Sequence, residues 1–397
     1  QAAAISVLAW VYIPGAQADA GDTFNLTARY GLLETDNLFL LSRDADLSQL
    51  PGGAASKSET INMSTAELSL DKSYSLQRIQ LNASINDYRY QNFSYLSYTA
   101  MNYSAAWRWA FTPRVRGTIT TSRKEASNSF TDVDDISVRN IRLDQLIRFD
   151  VEADLGAAWR LTTRLDQAKS TNEVPVVREG DSVVKSGALG TRYVFPSGNF
   201  VGLNARFGQG EYLNRVNTVG GFLPRSFDET EHDVRASWAF SGKTNILARF
   251  AYFQRHHKEF EQRDFGGVIG DLRATWKATG KTTVVATLAR TFNAYQTESN
   301  SYAAGNKYSL APEWQATAHT SLRFNYEYFL QDYGGALANN TFANRKDTTR
   351  NAVIAVDWHP RQTMSLILSL QNQKRTSNLT GFDFKANSAF ISGQITF

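Results

Sequence analysis

Cysteine is missing altogether from this chain of 397 residues, which excludes disulfides and thiolate-based metal or redox sites. No internal stretch approaches the ~20 apolar residues of a membrane-spanning helix. Charge of one sign is scarce as well. Lys and Arg number 42 against 38 Asp and Glu, a net of +4 without a dense basic run, so nothing points to nucleic acid. Five histidines are too few and too scattered to suggest a metal enzyme. The G-x-S-x-G, H-E-x-x-H and G-x-x-x-x-G-K-[ST] patterns that would mark a hydrolase, a zinc protease or a nucleotide-binding loop are absent. No enzyme and no cofactor is therefore expected.

Aromatics, by contrast, are plentiful at 12%. Seven of the eight tryptophans sit beside short turn-like segments, as in Ala106-Trp107-Arg108-Trp109, Ser237-Trp238-Ala239 and Asp357-Trp358-His359-Pro360. Stepping from Trp109 through Trp159, Phe195, Trp238, Trp276 and Trp314 to Trp358 gives intervals of 50, 36, 43, 38, 38 and 44 residues. In the segment around residue 195, Tyr193 and Phe195 stand where the others carry tryptophan. A period near 40 fits a propeller or a solenoid. It also fits an antiparallel hairpin with one short and one long connection.

The flanking residues favour the hairpin. From Ile141 to Trp159 the odd positions are almost all apolar, and Arg142, Asp144, Arg148, Asp150, Glu152 and Asp154 fall on the even ones. Period two with one apolar and one charged face is a strand pattern. It runs well beyond the ~5–6 residues of an ordinary strand, as a membrane-crossing strand does. Similar alternation flanks Trp238, Trp276 and Trp358. Counting a strand at 22–34, eight hairpins and a last strand at 382–397 predicts about 18 strands, with 16–20 as bounds. The short turns are expected near 71–76, 112–113, 160–162, 196–199, 241–244, 279–282, 317–320 and 360–363. The fold class is thus all-β: a transmembrane antiparallel β-barrel of the bacterial outer membrane. Closure would satisfy every backbone group and turn the charged face to an aqueous lumen.

The two ends of the chain fit this picture. Residues 2–13 are apolar, and Pro14-Gly15 and Ala16-Gln17-Ala18 follow, as in a secretory signal with its cleavage site. The basic start of such a signal is absent, so its first residues are expected to be missing. We assign 1–20 to a removed signal peptide and 21–397 to a single barrel. At the other end Ala389, Ile391, Gly393, Ile395 and Phe397 share one face. A terminal aromatic there resembles the assembly signal of outer-membrane barrels and implies the barrel-assembly machinery as a partner. An even strand number places both termini at the short-turn end, which is the periplasm in bacterial barrels.

On parity, Trp107, Trp109, Trp159, Tyr193, Phe195, Trp238, Trp276, Trp314 and Trp358 form a membrane-anchoring girdle, each tryptophan closing a descending strand. The expected lumen-facing set is Arg108, Arg114, Arg116, Arg142, Asp144, Arg148, Asp150, Glu152, Asp154, Arg164, Asp166, Arg206, Asp233, Arg235, Arg249, Asp271, Arg273, Arg323 and Glu327. Such groups either tune which solutes pass or pair across the wall and fill the pore. Their mixed signs argue against strong selectivity for one ion sign. Two loop clusters are weaker candidates. His256-His257 with Glu259 and Glu261 has metal-binding chemistry, and Asp132, Asp134 and Asp135 could hold Ca²⁺, but a solvated loop explains both and we assign no metal. Loop aromatics and amides (Tyr212, Phe222, Phe227, Phe260, Phe265, Tyr295, Tyr302, Tyr333, Phe342, Asn339, Asn340) suit sugar stacking, loop self-packing or contact with lipopolysaccharide, with the last two preferred.

One stretch carries a resemblance. Phe24 to Phe39, a first strand leading into Asp36-Asn37-Leu38-Phe39, resembles the EpsL-type outer-membrane proteins of bacterial exopolysaccharide operons, within a wider set of β-barrel porins. The resemblance implies a channel associated with exopolysaccharide biosynthesis or export, with the polysaccharide and periplasmic export components as partners beside outer-membrane lipid and lipopolysaccharide. The alternative is a general or nutrient-uptake diffusion porin, and a barrel enzyme ranks third.

Overall fold

The computed structural model describes residues 23–51, 56–128, 130, 137–174, 178, 180–215, 224–294, 300–335 and 344–397. The assigned signal peptide, Asp132, Asp134, Asp135, Phe222, Tyr295, Asn339, Asn340 and Phe342 lie outside the described residues.

Eighteen strands follow one another along the chain. They are β1 (Phe24–Thr35), β2 (Glu59–Tyr74), β3 (Gln77–Tyr90), β4 (Tyr98–Thr112), β5 (Val115–Ser127), β6 (Ile141–Leu155), β7 (Trp159–Asn172), β8 (Ser182–Val194), β9 (Phe200–Tyr212), β10 (Ser226–Ser241), β11 (Thr244–His256), β12 (Phe265–Lys277), β13 (Thr282–Ala294), β14 (Tyr302–Gln315), β15 (Thr320–Gly334), β16 (Lys346–Arg361), β17 (Met364–Ser377) and β18 (Phe384–Thr396). Each pairs antiparallel with its chain neighbours, and β1 pairs with both β2 and β18, so the sheet is closed. Among the described residues no α-helix occurs; the regular non-strand pieces are single 3-10 turns such as Leu47–Gln49, Ser94–Leu96 and Glu261–Arg263. The expected barrel and its strand number are therefore observed.

Strand parity explains the composition. The outer face carries Leu26, Tyr30, Ile147, Phe149, Leu189, Phe250, Leu368 and many other exposed apolar side chains. The inner face carries most of the charges. Each face alone would stand out, but their average hides the pattern in a mean hydropathy of −0.37. Along the seam, Thr27 Oγ1 meets Thr396 Oγ1 at 3.1 Å, and Arg29 donates to Gln394 Oε1 at 3.0 and 2.7 Å. Phe397 exchanges backbone hydrogen bonds with Leu26 at 2.8 and 3.1 Å. Both described chain ends thus lie at the end of the barrel that holds the short turns.

One hairpin differs from expectation. The turn between β6 and β7 falls at 156–158, where Gly156 adopts φ 85°, a left-handed conformation that costs glycine little. Trp159 therefore opens the ascending strand instead of closing the descending one. Leu155 and Trp159 are directly opposed across this turn. Opposed residues of an antiparallel pair share a face, so the parity assignment survives the shift of four residues.

Among the described residues the larger of two buried apolar clusters lies on the inner face; the smaller joins Leu40 to Phe384 and Ala386. Leu38, Phe39 and Leu50, from the connection after β1, and Phe93 and Leu96, from the connection after β3, pack on Leu33, Ile61, Tyr90, Tyr98 and Phe390. The last five are inner-face positions, so both connections fold inward over the wall formed by β18 and β1–β4.

Candidate functional site

The inner wall has two chemically distinct halves. The first runs from β5 to β12 and is a lattice of ion pairs. Glu152 bridges Arg116 and Arg192, and Asp154 pairs with Arg116 at 3.1 Å and Arg160 at 2.8 Å. Asp150 holds Arg164 at 2.7 Å. Asp166 accepts from Ser186 at 2.9 Å and has Arg148 at 3.9 Å. Higher up, Arg142 meets Asp144 at 2.9 Å. On β9–β12, Glu229 bridges Arg206 at 2.9 Å and Arg255 at 2.5 Å, Asp233 holds Arg235 at 2.5 Å, and Glu231 holds Arg249 at 2.5 Å. Asp271 stands 3.9 Å from the same Arg249. The register makes these contacts: opposed residues such as Arg148 and Asp166, Asp150 and Arg164, or Arg249 and Asp271 face each other on adjacent strands. Further round, Arg323 meets Asp357 at 2.5 Å and Lys307 meets Glu327 at 3.8 Å.

Pairing is incomplete. Arg108, Lys124, Arg273 and Lys277 are exposed on the inner face, with no carboxylate within ion-pair distance among the described residues. A pocket of about 730 Å³ opens on this wall near the short-turn end, lined by Arg78, Arg108, Arg116, Arg164, Arg192 and Arg235 but only Asp150 and Glu152 among acids. Three further carboxylates hold members of this set from beside the pocket: Asp71 on Arg78, Asp154 on Arg116 and Asp233 on Arg235. Six arginines thus face five acids, and Glu152 serves two of the arginines. The pocket presents guanidinium N–H groups, which match carboxylates in fork geometry. Phe200 also lines it and lies 5.2 Å from the Arg192 guanidinium.

The second half, β18 and β1–β4, carries the apolar cluster. The Asp36-Asn37-Leu38-Phe39 stretch anchors it. Asn37 donates to the carbonyls of Leu41 and Lys385, both at 2.9 Å, and accepts from Leu41 N–H at 3.0 Å. Phe39 is 1% exposed and meets Phe93 and Phe130 edge-to-face at 4.6 and 4.8 Å. Glu59, fully buried, accepts from the backbone N–H groups of Thr60, Gln91, Asn92 and Phe93 at 2.7–3.0 Å and so clamps the 91–97 connection. The quoted stretch is thus a structural anchor of the inner wall.

The expected lumen set is distributed as follows. Arg114 lies in the turn before β5, and the remaining members lie on inner-face strand positions. Parity extended along the same strands would have added Arg160, Arg192, Glu229, Glu231, Arg255 and Asp357. Glu59 gave no such signal, because its role depends on where a distant loop folds. On the outer face Trp107, Trp159, Trp238, Trp276, Trp314 and Trp358 are exposed. Trp159, Tyr193, Phe195 and Trp238 form a chain of edge-to-face contacts at 5.3, 4.9 and 5.2 Å. Trp109 departs from the set. It is 7% exposed, covered by Phe111 and Phe149, and lies in the notch left by Gly117, where an added Cβ would come within 2.4 Å of the indole. Of the histidines, His232 on β10 meets Phe207 edge-to-face at 6.1 Å, and His256 and His257 both face Asp264. Among the described residues no cluster of three or more His, Asp or Glu could hold a metal ion.

No protein-family model and no curated protein matches the chain. Solved structures do. OccK3 (OpdO) of Pseudomonas aeruginosa is 12% identical over 94% of this chain and 96% of its own, with a TM-score of 0.52. OpdQ of the same organism is 12% identical over 94% and 97%, at 0.51. The outer membrane protein OpdK, also solved with vanillate, is 11% identical over 94% and 98%, at 0.51. At this identity the likeness establishes a shared porin-like barrel fold. It does not support the exopolysaccharide resemblance.

Proposed function

We propose that the protein is an outer-membrane diffusion channel for small solutes, with a preference for those that carry a carboxylate. The observation that carries this reading is the lumen-wall pocket in which six arginines outnumber the acids around them. The closed barrel of outer-membrane porins supports the location, and a neighbour of this fold solved with vanillate, an aromatic carboxylate, supports the solute class. In this reading the short turns and both chain ends face the periplasm. The exposed tryptophans anchor the wall at that interface, and Phe397 on the outer face of β18 serves assembly. The channel takes up solutes by diffusion. The inward-folded connections occupy part of the outer mouth, which favours small solutes over a polymer and uptake over export.

Reconstitution in planar bilayers tests the reading. A salt gradient should give a reversal potential displaced toward anions, and the triple variant Arg108→Gln, Arg164→Gln, Arg192→Gln should lose that displacement. Liposome swelling should rank benzoate-like acids above neutral sugars of equal size. Absence of conductance would sink the channel reading, and equal passage of acids and sugars would sink the preference.

A further inference from the structure

The outer face of β15–β18 carries three aligned rows of side chains. Phe324, Ile354, Leu370 and Ala389 are opposed in register and form an apolar row. Two residues higher, Tyr326, Ala352, Asn372 and Asn387 form a row with small and amide side chains. Two residues higher again stand Tyr328, Arg350, Lys374 and Lys385. Arg350, Lys374 and Lys385 are therefore direct cross-strand neighbours, spread over roughly 10 Å at the strand spacing. All three are exposed.

Like charges placed directly opposite destabilise a sheet, and among the described residues no carboxylate forms an ion pair with any of the three. Elsewhere at this height three outward arginines have partners, whereas Lys169 and Lys185 stand singly on the outer face of β7 and β8. Arg89 pairs with Asp87 at 2.7 Å, Arg123 with Glu125 at 2.6 Å, and Arg290 donates to Asn306 at 2.8 Å and to the Val268 carbonyl at 3.1 Å. Arg350, Lys374 and Lys385 have no carboxylate partner among the described residues; Arg350 only overlies the Tyr328 ring at 5.7 Å. Beneath the cations lies a groove of about 560 Å³ whose floor is Phe324, Ala352, Ile354, Leu370 and Ala389. Ala352 deepens it by its small size. Asn372 donates to Asn387 at 2.6 Å, and Asn387 in turn donates to Asp36 at 2.6 Å, so the amide row is held in place.

We infer that this face is a binding site for the phosphorylated headgroup of lipid A, the cation row taking the phosphate and the groove an acyl chain. The inference rests on the proposed placement in the outer membrane, with the long-connection end outermost. Charge complementarity selects an anion, and the apolar floor directly below selects one with a hydrocarbon tail. A free anion has no use for that floor. Glu34 and Asp36 border the far side of the groove and keep phosphate on the β16–β18 side.

The test is titration of the detergent-folded protein with diphosphoryl lipid A, with dephosphorylated lipid A and inorganic phosphate as separate arms. Wild type should bind the diphosphoryl form, and Arg350→Gln with Lys374→Gln and Lys385→Gln should weaken binding at least tenfold. The single variant Lys374→Gln should weaken it measurably if the triple variant fails to show the heat-modifiable gel mobility of a folded barrel. A charge-matched control, Lys72→Gln with Lys243→Gln and Lys281→Gln at the opposite end, should bind as wild type does. Equal binding by the triple variant, or equal binding of dephosphorylated lipid A, overturns the site. Displacement of the lipid by millimolar inorganic phosphate overturns the lipid assignment. Conductance is read separately: a barrel that conducts without binding lipid A refutes this inference alone, and one that binds it without conducting refutes the channel alone.

Discussion

The two halves of the inner wall solve the same problem with different materials. From β5 to β12 the lumen is lined by strand side chains that neutralise one another across the register, and arginines remain in slight excess at one pocket. From β18 to β4 it is lined by loops that have folded in, held by Phe39, Asn37 and the buried Glu59. The first half is built of ion pairs within and across neighbouring strands, some buried, such as Glu229 with Arg255, and many half-exposed, such as Asp150 with Arg164; the half-exposed ones are worth little alone. The second is a packed apolar cluster, in which each side chain carries more. In the proposed channel the charged wall would tune passage, while the aromatic wall would set how much of the mouth is open.

Mutations should separate the halves by size of effect. Phe39→Ala should be the most damaging, at about 3–5 kcal/mol in local stability. It should raise single-channel conductance by freeing the connection after β1; unchanged conductance would show that the aromatic wall does not narrow the lumen. Asp233→Asn comes next. It removes the carboxylate that holds Arg235 at 2.5 Å and Asn204 at 3.0 Å. Because Arg235 is partly solvated, the cost should be about 1–2 kcal/mol, well below that of a fully buried pair. Its reversal potential should move further toward anions, and a shift toward cations would contradict the proposed preference.

A smaller effect comes with pH at the outer rim of the charged half. His257 is buried in the connection after β11, between Phe227 and Phe265, with Arg255 and Arg215 near it and Asp264 opposite. Burial first, and then the two arginines against the opposing pull of Asp264, lower its pKa to about 4. The folded loop thus binds this proton less readily than the unfolded chain does. Its stability is fully present above the ordinary histidine range and is lost as pH falls through that range toward 4. Amide exchange of residues 257–264 should quicken over this interval, and His257→Phe should flatten the dependence. Least of all should come from Asp71→Asn, whose partner Arg78 is largely in water. No change in unfolding midpoint is expected, and a clear loss would mean that the exposed pairs of the charged wall matter more than argued.

Legibility in the sequence follows the same division. Strand number and facing were readable because alternation is a local property that leaves a trace in every pair of neighbours. Even the misplaced turn before Trp159 did no harm to facing, since Leu155 and Trp159 are opposed. Which charges meet is only partly readable. Glu229 and Glu231 lie on the parity of Asp233, but their partners Arg206, Arg255 and Arg249 sit on other strands and depend on register. The aromatic wall left almost no trace. Asp36-Asn37-Leu38-Phe39 reads as a polar turn followed by stray apolar residues until Leu33 and Phe390 are seen beneath it. Trp109 likewise shares the spacing of the other tryptophans, and only the missing side chain of Gly117 sets it apart.

The seam has a consequence for how the molecule is made. Every pairing but one joins chain neighbours and can form as soon as a hairpin is complete. The exception joins Thr27 to Thr396, 369 residues apart, and closing a loop of that length costs about 5 kcal/mol in chain entropy alone. Until β18 docks on β1, the growing sheet has two bare edges open to any other strand. Folding should therefore resemble a fast zipper with one slow final latch. Changes at Arg29 or Gln394, which fasten that latch, should lengthen the life of the open sheet more than they weaken the finished barrel.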